Sequence, residues 1–233
     1  MHGEWAARVE RDGFALIPEA VPGADIDALL AALSTPSLGS ELRRRGGTRD
    51  LFESVSEVRN LARSGAVRTA AEAVLGLGCF AVRALLFDKT PEANWKVIWH
   101  QDLTIAVRER CSVEGFGPWS EKAGIPHVQP PTTLLERMVA VRLHLDDCGA
   151  ENGPVRVLPG SHRAGRLGPE DIASWRERTE PVECLLSRGG LLVMRPLLLH
   201  ASSSATAPVH RRVLHLEYAA ESLPDGLEWH ERW

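Results

Sequence analysis

Cysteine is scarce in this chain: Cys79, Cys111, Cys148 and Cys184 are the only four among 233 residues. None belongs to a Cys-x-x-Cys pair, which removes the usual spacing of a zinc knuckle and of a dithiol redox motif. A disulfide framework is not expected either, because a chain of this length buries roughly 70–75% of its unfolded surface and folds without covalent staples. Long apolar runs are missing too. Stretches such as Leu191–Met194 and Leu197–Leu199 are short, where a membrane helix needs about 18 apolar residues, so no membrane partner is expected. The opening MHGEWAARVERDG has no apolar run, so no secretory leader is expected and a cytoplasmic protein is the default reading. Lysine is limited to Lys89, Lys96 and Lys122, and the net charge is -4. That balance gives no reason to expect nucleic acid or an anionic membrane surface as a partner. A Gly-rich phosphate loop, Gly-x-Ser-x-Gly and His-Glu-x-x-His are all absent, which sets aside the corresponding nucleotide, hydrolase and zinc-protease chemistries.

What is present is ordinary globular material, with 44% hydrophobic and 25% charged residues, values that exclude disorder, collagen and coiled coil. A single domain over 1–233 suits the length. Up to about residue 76 the apolar spacing is helical. Ala24–Leu33 starts after Pro22-Gly23, and Val55–Leu75 repeats the pattern with a break at Ser64-Gly65. From about 79 to 219 the chain reads as short strands, at Phe80–Phe87, Val97–Val107, Met138–Leu145, Val155–Leu158, Val182–Leu186, Leu191–Met194 and Val213–Tyr218. Turn clusters such as Asn152-Gly153-Pro154 and Pro159-Gly160-Ser161 separate them. Helices first and strands after predict an α+β fold or a helix-buttressed barrel rather than alternating βαβ units. Arg108–Arg137 interrupts two strands with seven Gly and Pro residues, and a loop that long is a lid, a binding loop or disorder; a lid over the site is expected, with a surface loop away from it as the alternative.

One constellation carries chemistry. His100-Gln101-Asp102 lies inside Val97–Val107. On a strand, residues two apart share a face, so one rigid edge presents both side chains to one metal. His200, closing the run Leu197–Leu199, is the best candidate for a third ligand. Two histidines and one carboxylate on one face of an octahedron form the facial triad of non-haem Fe(II) oxygenases. The tripeptide alone is a weak signal, and His144-Leu145-Asp146 is a second copy on another strand.

The surroundings of these residues carry a resemblance. Phe87-Asp88-Lys89-Thr90-Pro91 followed by Trp99-His100-Gln101-Asp102, then LDDCGAENGPVRVLPGSH over 145–162, then GGLLVMRPLLLHASSSATAPVHRRVLHLEY over 189–218, resemble the phytanoyl-CoA dioxygenase family in order and spacing. The likeness spans Phe80 to Tyr218. It implies a double-stranded β-helix (jelly-roll, cupin-like) core buttressed by the N-terminal helices. It also implies Fe(II), 2-oxoglutarate and O2, with turnover to succinate and CO2 and hydroxylation of a small-molecule substrate. Carried over, the iron ligands are His100, Asp102 and His200, while Ser202 and Arg211 take the far carboxylate of 2-oxoglutarate. Arg211 suits that role because a guanidinium pairs bidentately with a carboxylate. The retained Asp102 favours hydroxylation over the halogenation of relatives that lack the carboxylate.

Alternatives stay open at this level. Arg142 reads as a ligand for 2-oxoglutarate or an acidic substrate group, and equally as half of a structural ion pair. Lys89 faces substrate or solvent. Trp95, Trp99 and Trp119 form a substrate wall or pack in the core. Strand alternation puts Arg211, Val213, His215 and Glu217 on one face and Arg212, Leu214, Leu216 and Tyr218 on the other, provided that no bulge near Pro208–His210 exchanges them. A non-catalytic cupin-like binding protein and a 2-oxoglutarate-independent metal enzyme are the competing functions. The substrate itself and the oligomeric state are not legible.

Overall fold

The computed structural model describes residues 2–34, 47–207 and 210–233. Helical spacing becomes helices at His2–Asp12, Gly23–Leu33, Ser56–Arg63 and Gly65–Leu75. The expected break falls at Ser64, whose extended backbone separates the last two. The strands are β1 (Phe14–Ile17), β2 (Gly47–Thr48), β3 (Phe80–Lys89), β4 (Val97–His100), β5 (Ile105–Ala106), β6 (Trp119–Lys122), β7 (Ile125–Val128), β8 (Met138–His144), β9 (Val155–Val157), β10 (Val182–Glu183), β11 (Leu191–Met194), β12 (His200–Ser202) and β13 (Arg211–Ala219). They pair antiparallel into a six-stranded sheet of order β1-β11-β8-β13-β3-β2, a four-stranded sheet β10-β9-β12-β4 and a three-stranded sheet β5-β7-β6.

β8 shows why the layers stack. All seven of its residues are buried, which a strand achieves only when both faces are covered. Val139, Val141 and Leu143 share a core with Ile26, Phe52, Val58 and Val67 from the helices. Ala140, on the other face, packs with Val155 and Val157 of the four-stranded sheet. β13 alternates in the same way. Leu214, Leu216 and Tyr218 join the helical core, and the Tyr218 hydroxyl donates to the Ala62 carbonyl at 2.9 Å. Each such apolar side chain contributes about 1.5–3 kcal/mol when fully buried. The opposite face of β13 is therefore left for polar residues between the two large sheets.

Three expectations are corrected. Val97–Val107 is not one strand: β4 ends at His100, and Ile105–Ala106 belongs to a different sheet. Val182–Leu186 shortens to Val182–Glu183, with Leu186 held by one bridge to Cys148. Arg108–Arg137 is not an unstructured loop. It contains the β6–β7 hairpin and the one-turn helix Thr132–Leu135, and its Val113, Val128, Leu134 and Leu135 sit in a core cluster with Ile105 and Trp229. Gly and Pro mark the turns of that segment, while its apolar residues anchor it. Among the described residues, no helix is long and apolar enough to cross a membrane.

Candidate metal centre and cavity

A cavity of about 220 Å³ lies between the two large sheets. Leu85 and Phe87 of β3, Arg142 of β8, and Arg211, His215 and Glu217 of β13 line it from one side. His100, Val155, His200 and Ser202 line it from the other. His100, Asp102 and His200 converge here, each offering one ligand atom, with all three atoms within 4.8 Å of one another. His100 and His200 are direct cross-strand partners on β4 and β12, and their ring centroids lie 4.1 Å apart. The Asp102 carboxylate reaches both: Oδ1 is 3.7 Å from His100 Nε2 and Oδ2 is 3.6 Å from His200 Nε2.

Each imidazole is set by its own backbone. His100 Nδ1 donates to the Ile98 carbonyl at 2.8 Å, and His200 Nδ1 to the Leu198 carbonyl at 2.9 Å. An imidazole that donates from Nδ1 keeps the Nε2 lone pair for a metal. Burial pushes His200 down to about 4, against the pull of Asp102, so the ring is neutral at pH 7. Burial alone would raise the Asp102 carboxyl, but His200, His215, His100 and Arg142 outweigh it and hold it at about 2. Two neutral imidazoles and an ionised carboxylate are the donor set that suits Fe(II).

The convergence does not come from strand alternation, because β4 ends before Asp102. A loop delivers the carboxylate, and two contacts hold that loop. The Asp102 amide donates to the Pro196 carbonyl at 2.9 Å. The Gln101 side chain, 7% exposed, donates to Leu197 at 2.7 Å and Gly165 at 2.8 Å, and accepts from the Leu167 amide at 2.9 Å. Gln101 thus ties the two candidate ligands it separates to the segment leading into His200. Ser161 works similarly, accepting from the Leu199 amide at 2.9 Å and donating to Leu158 at 2.8 Å. Sequence reasoning passed over both, treating Gln101 as a spacer and Ser161 as part of a turn. Gln101→Ala should lower Fe(II) affinity about 10–100-fold, the usual penalty for losing a group that orients ligands, while the chain stays folded. Fe(II) titration of the folded variant measures this, and unchanged affinity would dismiss the clamp.

The second His-x-Asp copy makes no such cluster. Asp146 is taken by Arg212, which reaches it from Nε at 2.9 Å and from its terminal nitrogen at 2.6 Å. His144 is buried with neither ring nitrogen bonded to a described residue, and burial pushes it down to about 3.

The cations divide by face. Arg211 is buried in the cavity wall, donating to the Gly153 carbonyl, and its Nε has no partner among the described residues. Gly153 must be glycine: its φ is +60°, and a Cβ would stand 2.4 Å from the Ser203 carbonyl oxygen. Arg142 donates to His215 Nδ1 at 3.0 Å; His215 Nε2 donates to Glu217 at 3.2 Å, and Arg83 donates to the same oxygen at 3.1 Å. The Nε of Arg142 is also orphaned, and burial with the Arg211 charge pushes its guanidinium down to about 10. Lys89 is fully buried, which removes its solvent-facing alternative. It donates to Ser202 Oγ at 3.3 Å and to the Ser203 carbonyl, and burial with the Arg211 charge lowers it to about 8. Among the described residues, no carboxylate forms an ion pair with Lys89, Arg142 or Arg211. Of the three tryptophans, Trp95 lines the cavity, Trp99 lies under Arg156 and Trp119 packs on the core around Ile105. A bulge near Pro208–His210 would fall mainly outside the described residues. From Arg211 onward the register with β3 is regular until Glu217/Tyr218.

Comparison with solved structures places this architecture among known folds. The carbocyclase SnoK from nogalamycin biosynthesis, described as non-heme and alpha ketoglutarate dependent, is 16% identical with a TM-score of 0.68, covering 93% of this chain and 83% of its own. AviO1 from Streptomyces viridochromogenes is 22% identical with a TM-score of 0.67, covering 97% of both chains. EctD from S. alaskensis, solved with 2-oxoglutarate and 5-hydroxyectoine, is 20% identical with a TM-score of 0.71, covering 92% of this chain and 74% of its own. At these identities the likeness is one of fold. A search of curated proteins gave no match. The family profile is a different kind of finding, because it matches sequence from residue 9 to residue 213, a stretch that contains both the metal cluster and the two cavity guanidinium groups whose Nε is unpartnered: the chain belongs to the phytanoyl-CoA dioxygenase family.

Proposed function

We propose that this protein is an Fe(II)- and 2-oxoglutarate-dependent dioxygenase that hydroxylates a small organic or acyl substrate, using O2 and releasing succinate and CO2. The observation that carries the reading is the pairing, in one cavity, of a His-Asp-His cluster with two buried guanidinium groups that lack a carboxylate partner. A buried charge without a counter-ion costs several kcal/mol, so the cavity is built for an anion. A dicarboxylate that chelates metal at one end and meets guanidinium at the other satisfies both halves.

In this reading His100, Asp102 and His200 hold the iron. Arg211 and Ser202 bind the far carboxylate of 2-oxoglutarate. The Ser202 hydroxyl oxygen already accepts from Lys89, which leaves its proton for a carboxylate oxygen. Lys89 acts through Ser202, and Arg142 orients His215 while adding positive charge at the same end. Bound iron and 2-oxoglutarate supply the oxidising power for attack on an unactivated C–H bond, and the protein positions the substrate and keeps water out. The two facing antiparallel sheets are read as a jelly roll within a single domain over 1–233, the location as cytoplasmic, and the β6–β7 hairpin as a wall that covers the site.

Anaerobic addition of Fe(II) and 2-oxoglutarate tests the reading. A visible charge-transfer band that requires both components is expected. A band absent with both present, or formed equally by iron alone, would overturn it.

A further inference from the structure

The cavity has a second cationic end. Arg83 stands opposite Glu217, as Lys89 stands opposite Arg211, in the β3–β13 register. Six residues separate the two positions on each strand, which at about 3.3 Å per residue is roughly 20 Å. At the Arg83 end, Arg49 and Lys122 also line the cavity. Arg83 is paired with Glu217 at 3.1 Å. Among the described residues, the other two form no ion pair with an acid. Arg49 makes no hydrogen bond or ion pair with any described residue. Among the described residues, the Lys122 ammonium donates only to the Thr104 hydroxyl, at 2.7 Å.

Charge makes this end informative. Among the described residues, five cationic side chains line the cavity against two carboxylates, Asp102 and Glu217. A divalent iron and a dianionic 2-oxoglutarate cancel each other, so filling the cofactor sites leaves the surplus of three in place. Arg49 and Lys122 are each lowered, first by burial and then by the Arg83 charge, and Lys122 by Arg49 as well. These cations therefore repel one another in a partly dry site; Glu217 pulls on both, with Asp50 on Arg49 and Asp102 on Lys122, but among the described residues no ion pair holds either cation. Asp50 and Glu231 lie behind Arg49 and Arg83 in a separate small cavity, and among the described residues neither forms an ion pair with them.

We propose that Arg49 and Lys122 form an oxyanion subsite for the substrate, so that the compound oxidised here carries a carboxylate or phosphate group held at the end of the cavity opposite Arg211. The inference rests on the proposed oxygenase reading for the word substrate, but the subsite is testable by binding alone. Arg49 offers a planar fork and Lys122 a point charge, with the Thr104 hydroxyl beside them. Leu85, Phe87 and Trp95 supply apolar wall in the same cavity, which suits an apolar body joined to the anionic head.

The experiment uses the full chain saturated with 2-oxoglutarate and Zn(II), which cannot turn over, and follows tryptophan fluorescence. The probes are benzoate, phenyl phosphate and the neutral isostere benzamide. Benzoate or phenyl phosphate should bind at least tenfold more tightly than benzamide, and whichever of the two binds better assigns carboxylate or phosphate. Arg49→Gln and Lys122→Gln, made separately because each side chain is only partly buried, should each lose most of that preference while binding 2-oxoglutarate as before. Equal binding of benzoate, phenyl phosphate and benzamide would overturn the subsite. So would an anion preference that survives both substitutions. Failure of 2-oxoglutarate to bind at all, with the anion preference intact, would instead strike the oxygenase reading and leave the subsite standing.

Discussion

Asp102→Ala is expected to reduce iron-dependent succinate release to background and to weaken Fe(II) binding by about 100-fold or more, beyond the 10–100-fold typical of residues that only orient ligands. The carboxylate is the one anionic donor in the cluster, and it reaches both imidazoles at 3.6–3.7 Å. Removing it leaves only two neutral nitrogens and no anionic donor for a divalent cation. The fold should survive, because the Asp102 side chain is 39% exposed and contributes no core packing. His100→Ala and His200→Ala should act in the same way. The second His-x-Asp copy makes the comparison sharp. His144→Ala should keep its iron and cost stability by leaving a void, on the order of 2 kcal/mol. Asp146→Ala should keep its iron and release Arg212 from its fork. Fe(II) titration and succinate assay across the five variants decide the matter: iron lost in the His144 and Asp146 variants but kept in the others would overturn the assignment.

Arg211→Ala should raise the 2-oxoglutarate KM at least tenfold, whereas Arg212→Ala should change it little. A charge-assisted hydrogen bond contributes about 1.5–3 kcal/mol, and 1.4 kcal/mol is a factor of ten in affinity. Arg211 is 3% exposed and lines the cavity with an unpartnered Nε. Arg212 points the other way, into the ion pair with Asp146. That pair is part-exposed, so losing it should cost about 0–1 kcal/mol of stability and leave the cavity as it was. Steady-state kinetics on both variants read the difference, and the reverse pattern would exchange their roles.

The residues of the site were legible because two kinds of local signal survive in a sequence. Turn chemistry marks where strands stop, as at Asn152-Gly153-Pro154, and a side-chain period of two splits β13 into Arg211, His215 and Glu217 on one face and Leu214, Leu216 and Tyr218 on the other. Both patterns depend only on neighbours along the chain. Where a feature depends on what crosses the strand, the same reasoning fails. His100 and Asp102 were paired for a wrong reason, since the strand ends between them and Asp102 arrives on a loop held by Pro196 and Gln101. The Gly- and Pro-rich stretch 108–137 looked like open loop because composition marks its turns, and the core contacts of Val128 and Leu135 that order it come from distant segments.

By itself, the sequence determined the helices-then-strands order, the family, the face that carries Arg211 and a candidate ligand set of His100, Asp102 and His200 beside a second His-x-Asp copy. Only the tertiary structure decided between the two His-x-Asp copies, because Arg212 neutralises one carboxylate and the facing sheet brings His200 to the other. It alone buried Lys89 beside Ser202 and gathered Arg49 and Lys122 at one end of the cavity. The physical reason is that local pattern encodes which way a side chain points, whereas a charge's partner is set by which strand lies across the sheet and which sheet lies opposite.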